Sequence, residues 1–182
     1  MFKNTLIYIW EVAKIVIIAM LIVVPIRYFI FQPFLVKGQS MEPSFENGDY
    51  LIVDEISYRF TAPKRGDVIV FKYPNNPSQR YIKRIIGLPG ETIEIKDGRA
   101  SIIDDKGNVK ILDEAYLPLG LETPGIIKTT MGPNELFVMG DNRAASSDSR
   151  RWGKLDEKFI IGKVAIRAWP FAALAMIEAP AY

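Results

Sequence analysis

Ser40 and Lys83 are the residues whose types and settings could do chemistry. Ser40 lies in Gly38-Gln39-Ser40-Met41-Glu42-Pro43-Ser44-Phe45, between small or flexible residues and ahead of a proline that fixes the chain direction. A serine hydroxyl is a weak nucleophile and needs a base beside it. The chain has no histidine and no cysteine, so neither a Ser-His-Asp arrangement nor a thiol nucleophile is available. The base must come from elsewhere, and Lys83 in Tyr81-Ile82-Lys83-Arg84-Ile85-Ile86-Gly87-Leu88-Pro89-Gly90-Glu91 is the candidate. Lysine is a base only when neutral, so its reference pKa of ~10.4 must fall by several units, which burial achieves by disfavouring the ammonium form. A fall of ~3 units corresponds to roughly 4 kcal/mol supplied by the fold. The competing reading makes Ser40 a turn residue and Lys83 a surface charge.

Short strands are expected to position this pair. The Lys83 segment reads as a strand ending at a Gly/Pro turn, and alternation sends Lys83 to one face and Arg84 to the other. One cation is then buried while its neighbour stays in water. Tyr50–Val53 and Asp67–Tyr73 each follow a glycine turn and are rich in β-branched residues. Pro74–Pro77 reads as a loop. Glu94–Ile102 reads as a hairpin with Asp97-Gly98 at its tip, followed by a second turn over Asp104–Asn108. Residues 113–134, with several Pro and Gly and little periodicity, read as an extended excursion. Glu135–Met139 and Phe159–Trp169 are further strands, and the Ala-rich end from Ala168 is expected on a surface or core edge. The fold class is mainly β, with no βαβ rhythm.

The first 31 residues differ in texture. Ile15–Ile26 carries no charge, and extending the run back to Leu6 takes in only Glu11 and Lys14, which can pair three residues apart on a helix. Leu6–Ile26 is long enough for one transmembrane helix, with Tyr8, Trp10, Tyr28 and Phe29 as interfacial aromatics. No small-x-small cleavage site follows it, so an uncleaved anchor is expected. The division is thus a 1–31 membrane anchor and a 32–182 β-rich catalytic domain, with 92–133 the excursion. Hydrophobic residues make up 49% and charged residues 24% of the 182, which excludes disorder; a net charge of +2 gives no basis for nucleic-acid binding. Without Cys or His, no metal site and no cofactor are expected.

A third stretch, Gly140-Asp141-Asn142-Arg143-Ala144-Ala145-Ser146-Ser147-Asp148-Ser149-Arg150-Arg151-Trp152-Gly153, is polar and directly follows a strand. By itself it reads either as a hydrogen-bonded surface loop or as a shell orienting a catalytic lysine. Gln32–Val53, Pro63–Glu91 and Gly140–Gly153, taken together behind an apolar N-terminus, resemble the type I signal peptidases, membrane-anchored serine proteases that remove signal peptides. The resemblance implies antiparallel sheets forming a partly open barrel.

The resemblance also implies roles. Ser40 is the nucleophile and Lys83 the general base and later general acid. Ser146 hydrogen-bonds the Lys83 amine, and Asp148 and Arg150 pair to support the loop that begins at Gly140 and Asp141. The Ser40 N–H is one oxyanion donor; Gly38 lacks the side-chain donor that some members carry two residues before the nucleophile. Losing such a donor costs roughly 3 kcal/mol, so a water or backbone group must compensate. Val36, Met41, Phe45, Tyr81 and Ile82 line one small apolar pocket, and Phe34, Leu51 and Val70 help line another, for Ala-x-Ala substrates. The substrates are preprotein signal peptides, bound extended beside the Lys83 strand at the outer face of the cytoplasmic membrane, with lipid as a further partner. Two alternatives stay open: a self-cleaving Ser/Lys protease, for which no DNA-binding segment is present, and a membrane-tethered β domain that binds without catalysis.

Overall fold

The computed structural model describes residues 2–29, 31–104, 106–180 and 182, giving the backbone alone for residues 2–7, 22, 24–29 and 31. The chain opens with helix α1 (Phe2–Phe29). The described side chains between Tyr8 and Val23 are exposed, apart from a half-buried Ala13. Lys14 and Glu11 pair at 2.8 Å, as their spacing anticipates. Among the described residues, no helix is long and apolar enough to cross a membrane. The expected span, Leu6–Ile26, runs partly through residues 6, 7, 22 and 24–26, whose side chains lie outside the described residues.

The rest is strand and turn. The strands are β1 (Phe31–Leu35), β2 (Tyr50–Asp54), β3 (Val68–Tyr73), β4 (Asn76–Gly87), β5 (Thr92–Lys96), β6 (Arg99–Ile103), β7 (Val109–Ile111), β8 (Ile127–Thr130), β9 (Glu135–Met139), β10 (Leu155–Asp156), β11 (Ile160–Trp169) and β12 (Ala175–Met176). A four-residue helix, α2 (Ser149–Trp152), precedes β10. All described pairings are antiparallel. One sheet runs β1-β2-β11-β3-β4-β9-β10, with β12 on β11, and its order has two ends rather than closing. The other runs β7-β6-β5-β8.

Alternation of β-branched residues builds the cores of these sheets. Ile69, Phe71, Ile85, Leu136 and Val138 fill one cluster, and Val53, Val68, Val70, Ile82 and Val164 another. The β5–β6 hairpin turns at Asp97 and Gly98, both at positive φ (50° and 75°), as a two-residue primed turn requires.

Three expectations need correction. The Pro74–Pro77 loop is shorter than read, because β4 already begins at Asn76; Pro77 is tolerated there on an exposed stretch of strand. β1 starts at Phe31, inside the segment assigned to the anchor. Residues 92–133 hold more than the one expected hairpin and supply all four strands of the second sheet. Its strand β8, Ile-Lys-Thr-Thr, has no apolar alternation to reveal it, because it exists through pairing with β5, more than thirty residues earlier.

Candidate active site

Strand β4 carries Lys83. Its pairing with β3 runs through Lys83 and Arg84, but its pairing with β9 begins only at Arg84. The Asn76–Lys83 half of β4 therefore has a free edge. The Lys83 amine donates to Ser40 Oγ at 2.6 Å and to the Ile82 carbonyl at 2.8 Å. It also stands 5.6 Å from the centre of the Tyr81 ring. Lys83 is only 3% exposed, and no carboxylate among the described residues forms an ion pair with it. Burial pulls its pKa down to about 8, against a smaller upward pull from Asp148 and Asp141.

Ser40 sits in the loop between β1 and β2. Val36 N–H donates to Asp49 O and Gly48 N–H to Val36 O, closing the loop at its base. Met41 and Phe45 are buried beneath it at 1% exposure, which anchors the chain on both sides of the serine. The segment leaving β9 holds the loop from the other side: Asn142 N–H donates to Ser40 O at 3.1 Å, and Asn142 Nδ2 donates to Gln39 O at 3.1 Å. That crossing requires glycine at 140, because a Cβ there would collide with the Ser40 carbonyl and the Ser146 hydroxyl.

Arg84 does not stay in water. It is 4% exposed on the opposite face of β4, donating to Asp141 through Nε at 2.9 Å and Nη2 at 2.6 Å, and to Gly66 O. Its guanidinium lies 4.0 Å over the Tyr116 ring. The fork geometry of arginine suits it to a buried site that a carboxylate can neutralise, so both neighbours are buried and only one is paired.

The Asp148–Arg150 pair forms as expected, at 2.8 Å, and it is buried rather than superficial. Burial raises the Asp148 pKa, but Arg150, the Gly140 N–H and the nearby Ser146 hydroxyl together hold it below the ordinary value. Asp148 also caps α2 by accepting from Arg150 N–H. Ser146 differs from expectation. Its hydroxyl is buried but makes no hydrogen bond among the described residues, and the Lys83 amine is taken up by Ser40 and Ile82 instead.

Arg143 is a further buried member of the loop. It is 1% exposed and binds Glu114, Thr123, Tyr116 Oη and the Gly140 carbonyl, tying the 113–134 segment to the Gly140–Gly153 loop. The Gly-Asp-Asn-Arg run flags it, but nothing local flags Glu114 or Thr123.

Ser40 and Lys83 lie on a cleft of about 670 Å³. Phe34, Tyr81 and Ile82 line it, as expected. Val36, Met41, Phe45, Leu51 and Val70 do not; they form the hydrophobic cluster on which Phe34 and Ile82 rest. Burying these apolar side chains beneath the site removes more apolar surface from water than leaving them to line an open cleft. In their place Leu35, Lys37, Gly38, Gln39, Gln79, Arg80, Ala145 and Ser147 complete the lining. Among the described residues no acidic cluster suits a metal ion.

A family profile described as "Signal peptidase, peptidase S26" matches residues 9–169. Signal peptidase I of Bacillus caldolyticus is 37% identical over 171 residues, covering 87% of this chain and 90% of that one. Signal peptidase I of Leptolyngbya laminosa is 36% identical over 183 residues, covering 93% and 84%. A crystal structure of a signal peptidase I from Enterococcus faecalis V583, 32% identical, aligns with a TM-score of 0.49 over 57% of this chain and 97% of that one.

Proposed function

Because the chain belongs to the signal peptidase family, peptidase S26, and is a serine protease of the signal peptidase I type, we propose that Ser40 and Lys83 are its dyad and that it cuts preproteins after Ala-x-Ala-like sites at a membrane surface. The observation that carries this reading is the 2.6 Å contact between Ser40 Oγ and a Lys83 amine that is nearly inaccessible to water. In its neutral form Lys83 takes the Ser40 proton as Oγ attacks the scissile carbonyl carbon. The resulting ammonium returns that proton to the departing amine as the C–N bond breaks, leaving an acyl ester on Ser40. Lys83 then deprotonates a water that hydrolyses the ester, and the proton returns to Ser40. The Ser40 N–H faces the oxyanion, with a backbone group or water supplying the second donor in the absence of a side chain at Gly38. Ser146, whose hydroxyl lies near Asp148 but makes no hydrogen bond among the described residues, receives the Lys83 amine while Ser40 is acylated.

The substrate lies extended along the free edge of β4, opposite β1, and pairs as an added strand. Small side chains fit because Phe34, Tyr81 and Ile82 narrow the cleft beside the dyad. Helix α1 serves as the single-pass anchor in the cytoplasmic membrane, with the β body on its outer face. Its 28 residues extend about 42 Å at 1.5 Å per residue, and its described apolar side chains, such as Ile15, Ile17, Ile18 and Leu21, are exposed. Tethering enzyme and preprotein to one bilayer raises their effective concentration.

Ser40→Ala and Lys83→Ala proteins are expected to fold but to lose cleavage of a preprotein bearing Ala-x-Ala before the cut, by at least a thousandfold. Full cleavage by both variants would end the dyad assignment.

A further inference from the structure

The outer end of the same cleft carries charge that the dyad does not use. Lys37 and Arg80 both line it, and among the described residues no carboxylate does. Both residues are exposed, and neither forms an ion pair among the described residues. Arg80 reaches across from β4 and donates through Nη1 to Gln32 Oε1 on β1 at 3.0 Å, so the two walls are joined there by a neutral acceptor. Each cation stands three residues before a member of the dyad, Lys37 before Ser40 and Arg80 before Lys83. On β4 those three residues span about 10 Å, whereas Lys37 leads to Ser40 through the bend at Gly38. A peptide strand that runs parallel to β4 and reacts at Ser40 passes these cations a few residues before its scissile bond, just beyond the positions that need small side chains.

We propose that Lys37 and Arg80 form a charge-reading subsite that favours preproteins with Asp or Glu at the fourth or fifth residue before the cut and disfavours Lys or Arg there. The proposal rests on the proteolytic reading above. A substrate carboxylate is a stronger acceptor for the Arg80 guanidinium than the Gln32 amide oxygen it would replace. A substrate ammonium finds no counter-charge in the cleft and two like charges beside it. Because the site is open to solvent, discrimination is modest and salt-sensitive, since charges are screened over ~10 Å at 0.1 M ionic strength.

Three peptides that differ only in carrying Asp, Ser or Lys at the fourth and fifth positions before the cut test this with the full-length protein in detergent. We expect kcat/KM to fall in the order Asp, Ser, Lys, with about a fivefold span at low salt that narrows in 0.5 M salt. The Arg80→Glu, Lys37→Glu protein should reverse the order. Ratios within one enzyme cancel any general loss of activity in the variant. Equal rates for the three peptides in the parent, or an order unchanged in the double variant, would overturn the subsite and leave the dyad untouched. Failure of the parent to cut any of the three would overturn the proteolytic reading and this proposal with it.

Discussion

Lys83 and Arg84 are adjacent in the chain and both are buried, yet they meet opposite electrostatic fates. Asp141 faces Arg84 and preserves its charge. Lys83 has a hydroxyl and a carbonyl instead, so desolvation dominates and its pKa drops to about 8 from an ordinary 10.5. The rate of peptide cleavage should therefore rise about tenfold per pH unit below pH 8 and level off above it, as kcat/KM measured across pH 6 to 10 would reveal. Stability follows the same group with a definite sign. Between pH 8 and 10.5 the unfolded chain holds a proton on Lys83 that the folded chain has lost, so stability rises with pH through that window. Below pH 8 both states are protonated, and the fold carries the full penalty of a buried ammonium, on the order of 3 kcal/mol. An apolar side chain of similar length avoids it. Lys83→Met should be inactive yet melt several degrees higher than the parent at pH 7, with the gap closing by pH 10. A lower melting temperature for Lys83→Met at pH 7 would contradict burial of the charged amine.

Among the elements, the free half of β4 and the segment leaving β9 do most to shape the site. Because β9 pairs with β4 only from Arg84 onward, the chain after Met139 turns away, grips the Ser40 carbonyl through Asn142 and leaves the β4 edge open to a peptide. The Arg84–Asp141 pair locks that departure, and Arg143 locks it again to Glu114. Breaking one partner of a buried pair strands the other charge, which costs about 3–5 kcal/mol, whereas replacing both by apolar groups costs far less. Asp141→Ala should lower stability by that order and reduce cleavage. The Arg84→Met, Asp141→Leu protein should recover much of the stability, as denaturant unfolding of the three proteins would show. Element positions along β2, β3, β9 and β11 were legible in the sequence, since alternation and glycine turns are local signals. The second sheet was legible only as its β5–β6 hairpin, because β7 and β8 take their form from partners remote in the chain.

On the scale of the whole molecule, one set of exposed apolar groups lies together at the end of β11 and in the turn after it. Trp169 and Phe171 pack edge to face at 4.7 Å, with Tyr50 opposite Trp169 in register and Leu174 and Met176 exposed nearby in the chain. Amphipathic aromatic rings favour the lipid interface. Of the expected interfacial aromatics, Tyr28 and Phe29 have side chains outside the described residues. Trp169→Ser with Phe171→Ser should slow cleavage of a preprotein embedded in vesicles while sparing a short water-soluble peptide; equal slowing of both would point to damage within the β body instead.

The amino-acid sequence alone settled which chemistry was open to this protein. A chain without histidine or cysteine, with serine and lysine in their particular surroundings, leaves few nucleophile–base pairs, and residue types are fixed before folding begins. Folding decided the rest. It brought positions 40 and 83 within 2.6 Å, gave Arg84 a carboxylate and withheld one from Lys83, and turned Met41, Phe45, Leu51 and Val70 from expected pocket walls into the floor beneath them. Those outcomes depend on which strands pair across long stretches of chain and on how much apolar surface the core can absorb, neither of which local sequence periodicity encodes.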